Sequence, residues 1–226
     1  VITVKFPDVV AVPLQWGSAL RHRRVFHPAG VMAAGQIERL APPDQGLPIG
    51  SCDVVARISK GLGTPGRLPD IIGLAWKMPA TVFPPSGWDV LLASAGSGPL
   101  TRMALRPATS WAASMSSLMP LRYKQRYWWI RAEMKSKTEH PGVSLDSIRK
   151  HIDHGGIEFT VEQACGTGRF KPLAILSVDR WLADDQAPNV AFDPTIHSPR
   201  DVTPAPGWLT DLRRRAYDRS REGRRG

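Results

Sequence analysis

Two residues near the end of the chain, Arg213 and Tyr217, are spaced for chemistry. Within Trp208-Leu-Thr-Asp-Leu-Arg-Arg-Arg-Ala-Tyr217, a helix would put both side chains on one face, because residues four apart stack one turn over the next. A guanidinium held beside a phenol favours the phenolate, and phenolate is a hard anionic ligand for ferric iron. Tyrosine is one of the few axial ligands by which proteins hold haem. Near the other end, Arg24-Val-Phe-His27 offers an imidazole of the kind used as a general base, with a cation three residues before it. Between them, Arg57 and Ser59 alternate on a strand-like run and so share one face. From there the Ser hydroxyl could fix an imidazole tautomer, and the Arg could meet a carboxylate.

The elements that must position these residues are bounded by composition. A chain of 226 residues with 42% hydrophobic content makes a single domain with a substantial core. No apolar run reaches about 18 residues, so no membrane-spanning helix is predicted. The start, Val1-Ile-Thr-Val-Lys-Phe-Pro, carries no signal-peptide pattern. Cys52 and Cys165 form no CxxC pair, which fits reduced thiols and predicts a cytoplasmic location. The net charge is +10, and the seven arginines from Arg213 onward, set against Asp218 and Glu222, supply half of it. No interleaved aromatics accompany that basic tail, so the reading argues against sequence-specific nucleic-acid binding.

Taken along the chain, Val31–Ile37, Asp53–Ser59, Gly73–Met78 and Trp88–Ala93 are predicted strands. Tyr127–Lys135 alternates, with Trp128, Ile130, Ala132 and Met134 inward; Ile157–Val161 and Pro172–Val178 complete the set. Helices are predicted over Ala108–Met119, after Ser144 with Leu145, Ile148 and Ile152 on one stripe, and over about 208–222. Gly61-Leu-Gly63-Thr-Pro-Gly66 spells a dinucleotide fingerprint, but Pro69 breaks the helix such a motif must open, so it reads as a turn. His151 and His154 lack a third metal ligand and read as a solvated helix face. Six or seven strands at hairpin spacing with three helices predict an α+β fold, an antiparallel barrel with a few appended helices.

In combination, these residues resemble the catalase-like haem enzymes, in a shortened form covering nearly the whole chain. Arg24-Val-Phe-His27-Pro-Ala-Gly30 is similar to the segment bearing the distal His, and Arg57-Ile-Ser59 to the strand whose Arg meets a haem propionate and whose Ser bonds that His. Asp70-Ile-Ile-Gly73-Leu-Ala75-Trp-Lys77 and Trp88-Asp89 follow in order. Asn189-Val-Ala-Phe192-Asp-Pro194 resembles the segment laying an aromatic ring against the proximal haem face, Arg213-x-x-x-Tyr217 the proximal Arg and axial ligand, and Arg224 a further propionate partner. The resemblance departs in two places. The loop after Trp88-Asp89 has Ala93-Ser-Ala-Gly-Ser-Gly and no distal Asn, and Phe26 stands where a smaller aliphatic residue is expected.

The resemblance implies ferric haem b at the barrel edge, held by Tyr217 and tuned by Arg213. His27 and Ser59 would serve the chemistry, while Arg24, Arg57, Arg224 and Phe192 would hold the cofactor. It implies a peroxidase that uses hydrogen peroxide or an organic hydroperoxide to oxidise a small organic substrate, with weak catalase activity because the Asn is missing. Rearrangement of a fatty-acid hydroperoxide, another haem tailoring reaction, or a non-catalytic haem carrier stand as alternatives. The absence of long tetramer-building arms implies a monomer or small homo-oligomer.

Overall fold

A computed structural model describes residues 29–135, 142–183, 190–194 and 196–205. Long strands arise where β-branched and aliphatic residues alternate with polar ones: β1 (Ala29–Arg39), β2 (Cys52–Lys60), β3 (Ile72–Met78) and β4 (Trp88–Ser94). They are followed by β5 (Met115–Ser116), β6 (Leu121–Tyr123), β7 (Arg126–Met134), β8 (Ile157–Cys165), β9 (Lys171–Leu182) and β10 (Thr203–Pro204). Neighbours pair in the order β10-β6-β7-β5-β4-β3-β2-β1-β9-β8, and β8 pairs back onto β7, which closes an eight-stranded barrel from β7 round to β8. Every strand pairing is antiparallel. β7 serves two neighbours along one edge, β6 through residues 126–128 and β5 through residues 131–132.

The expected strands are all present and the sheet closes into an antiparallel barrel as expected, with eight strands in the barrel and ten in the sheet among the described residues, where six or seven were expected. One expected helix is corrected. Residues 108–119 form turns and the short strand β5 instead. Serine supplies the local alternative, since the Ser110 hydroxyl accepts the amide of Ala112 at 3.2 Å. Ala108 exchanges both backbone bonds with Asp70. Trp111, 1% exposed, locks the turn by donating Nε1–H to the Ser144 carbonyl at 3.1 Å. The second predicted helix is α1 (Leu145–Asp153), with Ile148 and Ile152 buried toward β9 and β1. Ser144 is its N-terminal flanking residue, but its hydroxyl makes no capping bond. The third, about 208–222, lies outside the described residues. Among the described residues no helix is long and apolar enough to cross a membrane.

The barrel interior is filled. Trp76, Trp88, Leu74, Ile130, Phe159 and Leu176 are each about 1% exposed or less, and they belong to one continuous apolar cluster. Leu47 and Ile49, fully buried in that same cluster, come from the β1–β2 connection and stopper one end. Gly35 permits the tightest wall contact, since a Cβ there would lie 2.0 Å from the Ser177 carbonyl at the irregular step between β1 and β9. The lumen is thus occupied by the side chains of the core.

Candidate functional site

The alternation sends Val54, Ala56 and Ile58 into the core and turns Val55, Arg57 and Ser59 outward; that Arg57 and Ser59 share a face is as expected from the sequence. Strand register then lines residues up across the wall. Gly30, Ser59, Gly73 and Ala93 form one row over β1 to β4, and none has a side chain longer than hydroxymethyl. The next row is Met32, Arg57, Ala75 and Leu91, and the third is Ala34, Val55, Lys77 and Asp89. Three segments well apart in sequence, Arg57-x-Ser59, Gly73-x-Ala75-x-Lys77 and Asp89, therefore share one outer face.

Gly30 is required there. A Cβ in its place would stand 2.7 Å from Arg57 Nε and 3.0 Å from Ser59 Cβ. Arg57 is half-buried, and desolvation pulls its guanidinium below the ordinary value, though an arginine stays charged throughout the working range. The buried Ser59 hydroxyl donates to the Gly73 carbonyl across the hairpin, at a long 3.4 Å. The position after Trp88-Asp89 is informative. Ala93 faces outward, whereas Ser94 faces in and is 1% exposed. Its hydroxyl donates to the Arg106 carbonyl at 2.7 Å and accepts the Ile72 amide at 3.2 Å. It is committed to structure.

The third row carries a polar clasp that sequence reasoning did not assign. Lys77 Nζ lies 2.7 Å from Asp89 Oδ1 and 2.9 Å from Oδ2, with the carboxylate wholly buried. Asp89 Oδ2 also accepts the backbone amide of Asp193 at 2.7 Å and lies 2.8 Å from His197 Nδ1, which is itself 3.2 Å from Lys77 Nζ. The Asp89 amide returns a bond to the His197 carbonyl at 3.0 Å. The clasp fixes the segment bearing half-buried Phe192 to the wall beside the small-residue rows. The pairing of Lys77 with Asp89 follows from hairpin counting. His197, 108 residues from its partner, has no motif to announce it.

Arg57 and Ser59 are thus brought together, and Phe192 is tethered through its neighbour Asp193. His27, Arg24, Arg213, Tyr217 and Arg224 lie outside the described residues, as does Phe26. The remaining candidates are structural. The GxGxxG run is a turn organised by fully buried Asp70, whose carboxylate accepts the amides of Leu62 and Thr64, each at 2.7 Å, and the Thr64 hydroxyl at 2.8 Å. Burial pushes the Asp70 carboxyl up, but those donors together with the Lys60 charge outweigh it and hold it below the ordinary carboxylate value. His151 and His154 each direct Nδ1 at the carbonyl four residues earlier. No group of three metal-ligating side chains occurs among the described residues. No protein-family model matches the chain, and no curated protein matches it in sequence.

Proposed function

We propose that the chain is a haem-dependent peroxidase with a catalase-like barrel, using hydrogen peroxide or an organic hydroperoxide to oxidise a small organic substrate. The observation that carries this reading is the outer face over β1 to β4. Segments that the resemblance assigns to one haem site lie in register there, on the outside of a barrel whose lumen is full. A row of small residues, Gly30, Ser59, Gly73 and Ala93, would leave room for a planar macrocycle, and Arg57 one row away would serve as a cation for a propionate.

When bound, ferric haem supplies the redox chemistry that breaks a peroxide oxygen–oxygen bond. The chain's own residues bind and move protons. Tyr217, kept as phenolate by Arg213, would hold the iron. Arg24, Arg57 and Arg224 would neutralise the propionates, and Phe192 would pack against the macrocycle. His27 would take the proton from an incoming peroxide and return it to the departing oxygen, with Ser59 fixing its tautomer. Efficient disproportionation of hydrogen peroxide needs a second distal hydrogen-bonding group. With the Asn absent and Ser94 turned inward, oxidation of an organic donor is favoured.

Haemin titration followed by peroxide mixing tests the proposal. The expected result is one haem per chain with a ferric phenolate spectrum, lost in Tyr217→Phe. His27→Ala should keep haem and react with peroxide more slowly by ~10²–10⁴-fold. No stoichiometric haem, or an unchanged spectrum in Tyr217→Phe, would overturn it.

A further inference from the structure

The connections β1–β2, β3–β4, β6–β7 and β8–β9 all leave the barrel at one end, because consecutive long strands alternate in direction. Charge there is uneven. The β6–β7 tip carries Arg122, Lys124 and Arg126, and the β8–β9 turn carries Arg169 and Lys171; all five are exposed. The two tips are adjacent, since Trp128 pairs with Cys165 and the Gly166 amide donates to the Tyr127 carbonyl at 2.8 Å. Neither tip contains an acidic residue, and among the described residues none of the five cations takes part in a salt bridge. Of the acidic residues of this end, Asp44 lies in the β1–β2 connection, Glu38 and Asp53 lie on β1 and β2, Asp201 leads into β10 beside β6, and Asp89 and Asp193 are buried in the clasp. Arg39, by contrast, is spent internally on the carbonyls of Leu47, Ile49, Pro42 and Gln45.

The same end also exposes apolar groups. Tyr127 is 53% exposed and sits opposite Arg122 across the hairpin. Leu40 at the end of β1 is 51% exposed, Val82 in the β3–β4 connection 42%, and Ile196, held beside that connection by the Ser86 hydroxyl, 46%. Unpaired cations alone would suit any polyanion. Aliphatic side chains presented beside them gain nothing from a nucleic acid, whose bases need aromatic stacking partners. They do gain from the headgroup–acyl boundary of a bilayer, where a tyrosine ring also settles.

We infer that this end of the barrel is a peripheral docking surface for an anionic lipid bilayer. The cations of the β6–β7 and β8–β9 tips meet the headgroups, and Tyr127, Leu40, Val82 and Ile196 enter the interface. This is attachment to one leaflet, independent of the haem reading. The full chain, mixed with phosphatidylserine–phosphatidylcholine vesicles and sedimented, should pellet with them and not with pure phosphatidylcholine, and binding should weaken as salt rises. The combined variant R122E/K124E/R126E should weaken partition by at least about 10²-fold. Lys124→Glu alone, at an exposed turn tip, should weaken it roughly tenfold or more and guards against misfolding of the triple variant. Leu40→Ser with Tyr127→Ser should reduce the binding that survives at raised salt. Equal binding to neutral vesicles, or unchanged binding in the tip variants, would overturn the inference. So would tip-dependent binding of a single-stranded oligonucleotide in place of vesicles.

Discussion

Asp70 and Asp89 are two aspartates no more than 1% exposed, at opposite ends of the same hairpin, and they solve the problem of a buried charge in different ways. Asp70 is satisfied by its own neighbourhood, since all its donors lie within eight residues, in the turn that it closes. Asp89 takes one donor from the facing strand and two from a segment more than 100 residues later. The first arrangement makes a loop. The second makes a join between distant parts of the chain. Burial and charge are the same in both, so these properties alone do not distinguish a loop organiser from a tertiary clasp; the sequence separation of the partners does.

The comparison predicts a ranking that thermal or denaturant unfolding can break. Asp89→Ala should cost most, about 3 kcal/mol, because it removes the acceptor of the buried Asp193 amide and leaves Lys77 and His197 with only each other. A loss near 1 kcal/mol would show that the late segment holds without its clasp. Asp70→Asn should cost about 2 kcal/mol, since the amide keeps one acceptor oxygen and gives up the charge-assisted bonds. It should also change the acid limb. The lowered carboxyl of Asp70 contributes stability that is present above the unfolded value of about 3.9 and lost as pH falls through its lower folded value. The stability gap between wild type and Asp70→Asn should therefore close on acidification, and a gap constant with pH would contradict the assigned donors. His197→Ala should cost least, roughly 1 kcal/mol, as its ring is part-exposed and water can replace one bond.

Legibility follows the same division. The strands were readable because alternation and β-branching are local signals; β7 buries Ile130, Ala132 and Met134 as expected, though Trp128 is half-buried and Trp129, on the other face, is buried as well. The turn at Gly61–Gly66 was readable because Pro69 acts at short range. The helix expected over 108–119 failed because Thr109 and four serines dilute the helix preference of Ala, Leu and Met, while Trp111 found a better burial and Asp70 claimed the backbone of Ala108. The shared face of Arg57 and Ser59 was legible, and so was the Lys77 strand. The row of small residues was not, because it depends on the register of four strands, each contributing one unremarkable residue. The role of His197 was invisible for the same reason.

The clasp at Asp89 also imposes an order in time. On the ribosome, β1 to β9 emerge before residues 193–197, so the barrel can close while this carboxylate still has only Lys77 for company. Shutting the clasp is then a terminal step, bringing together groups 104 and 108 residues apart after the wall is built. Until it shuts, the nascent chain holds a charged side chain in a half-made niche. Once it shuts, whatever follows residue 197 starts from a fixed point on the finished wall.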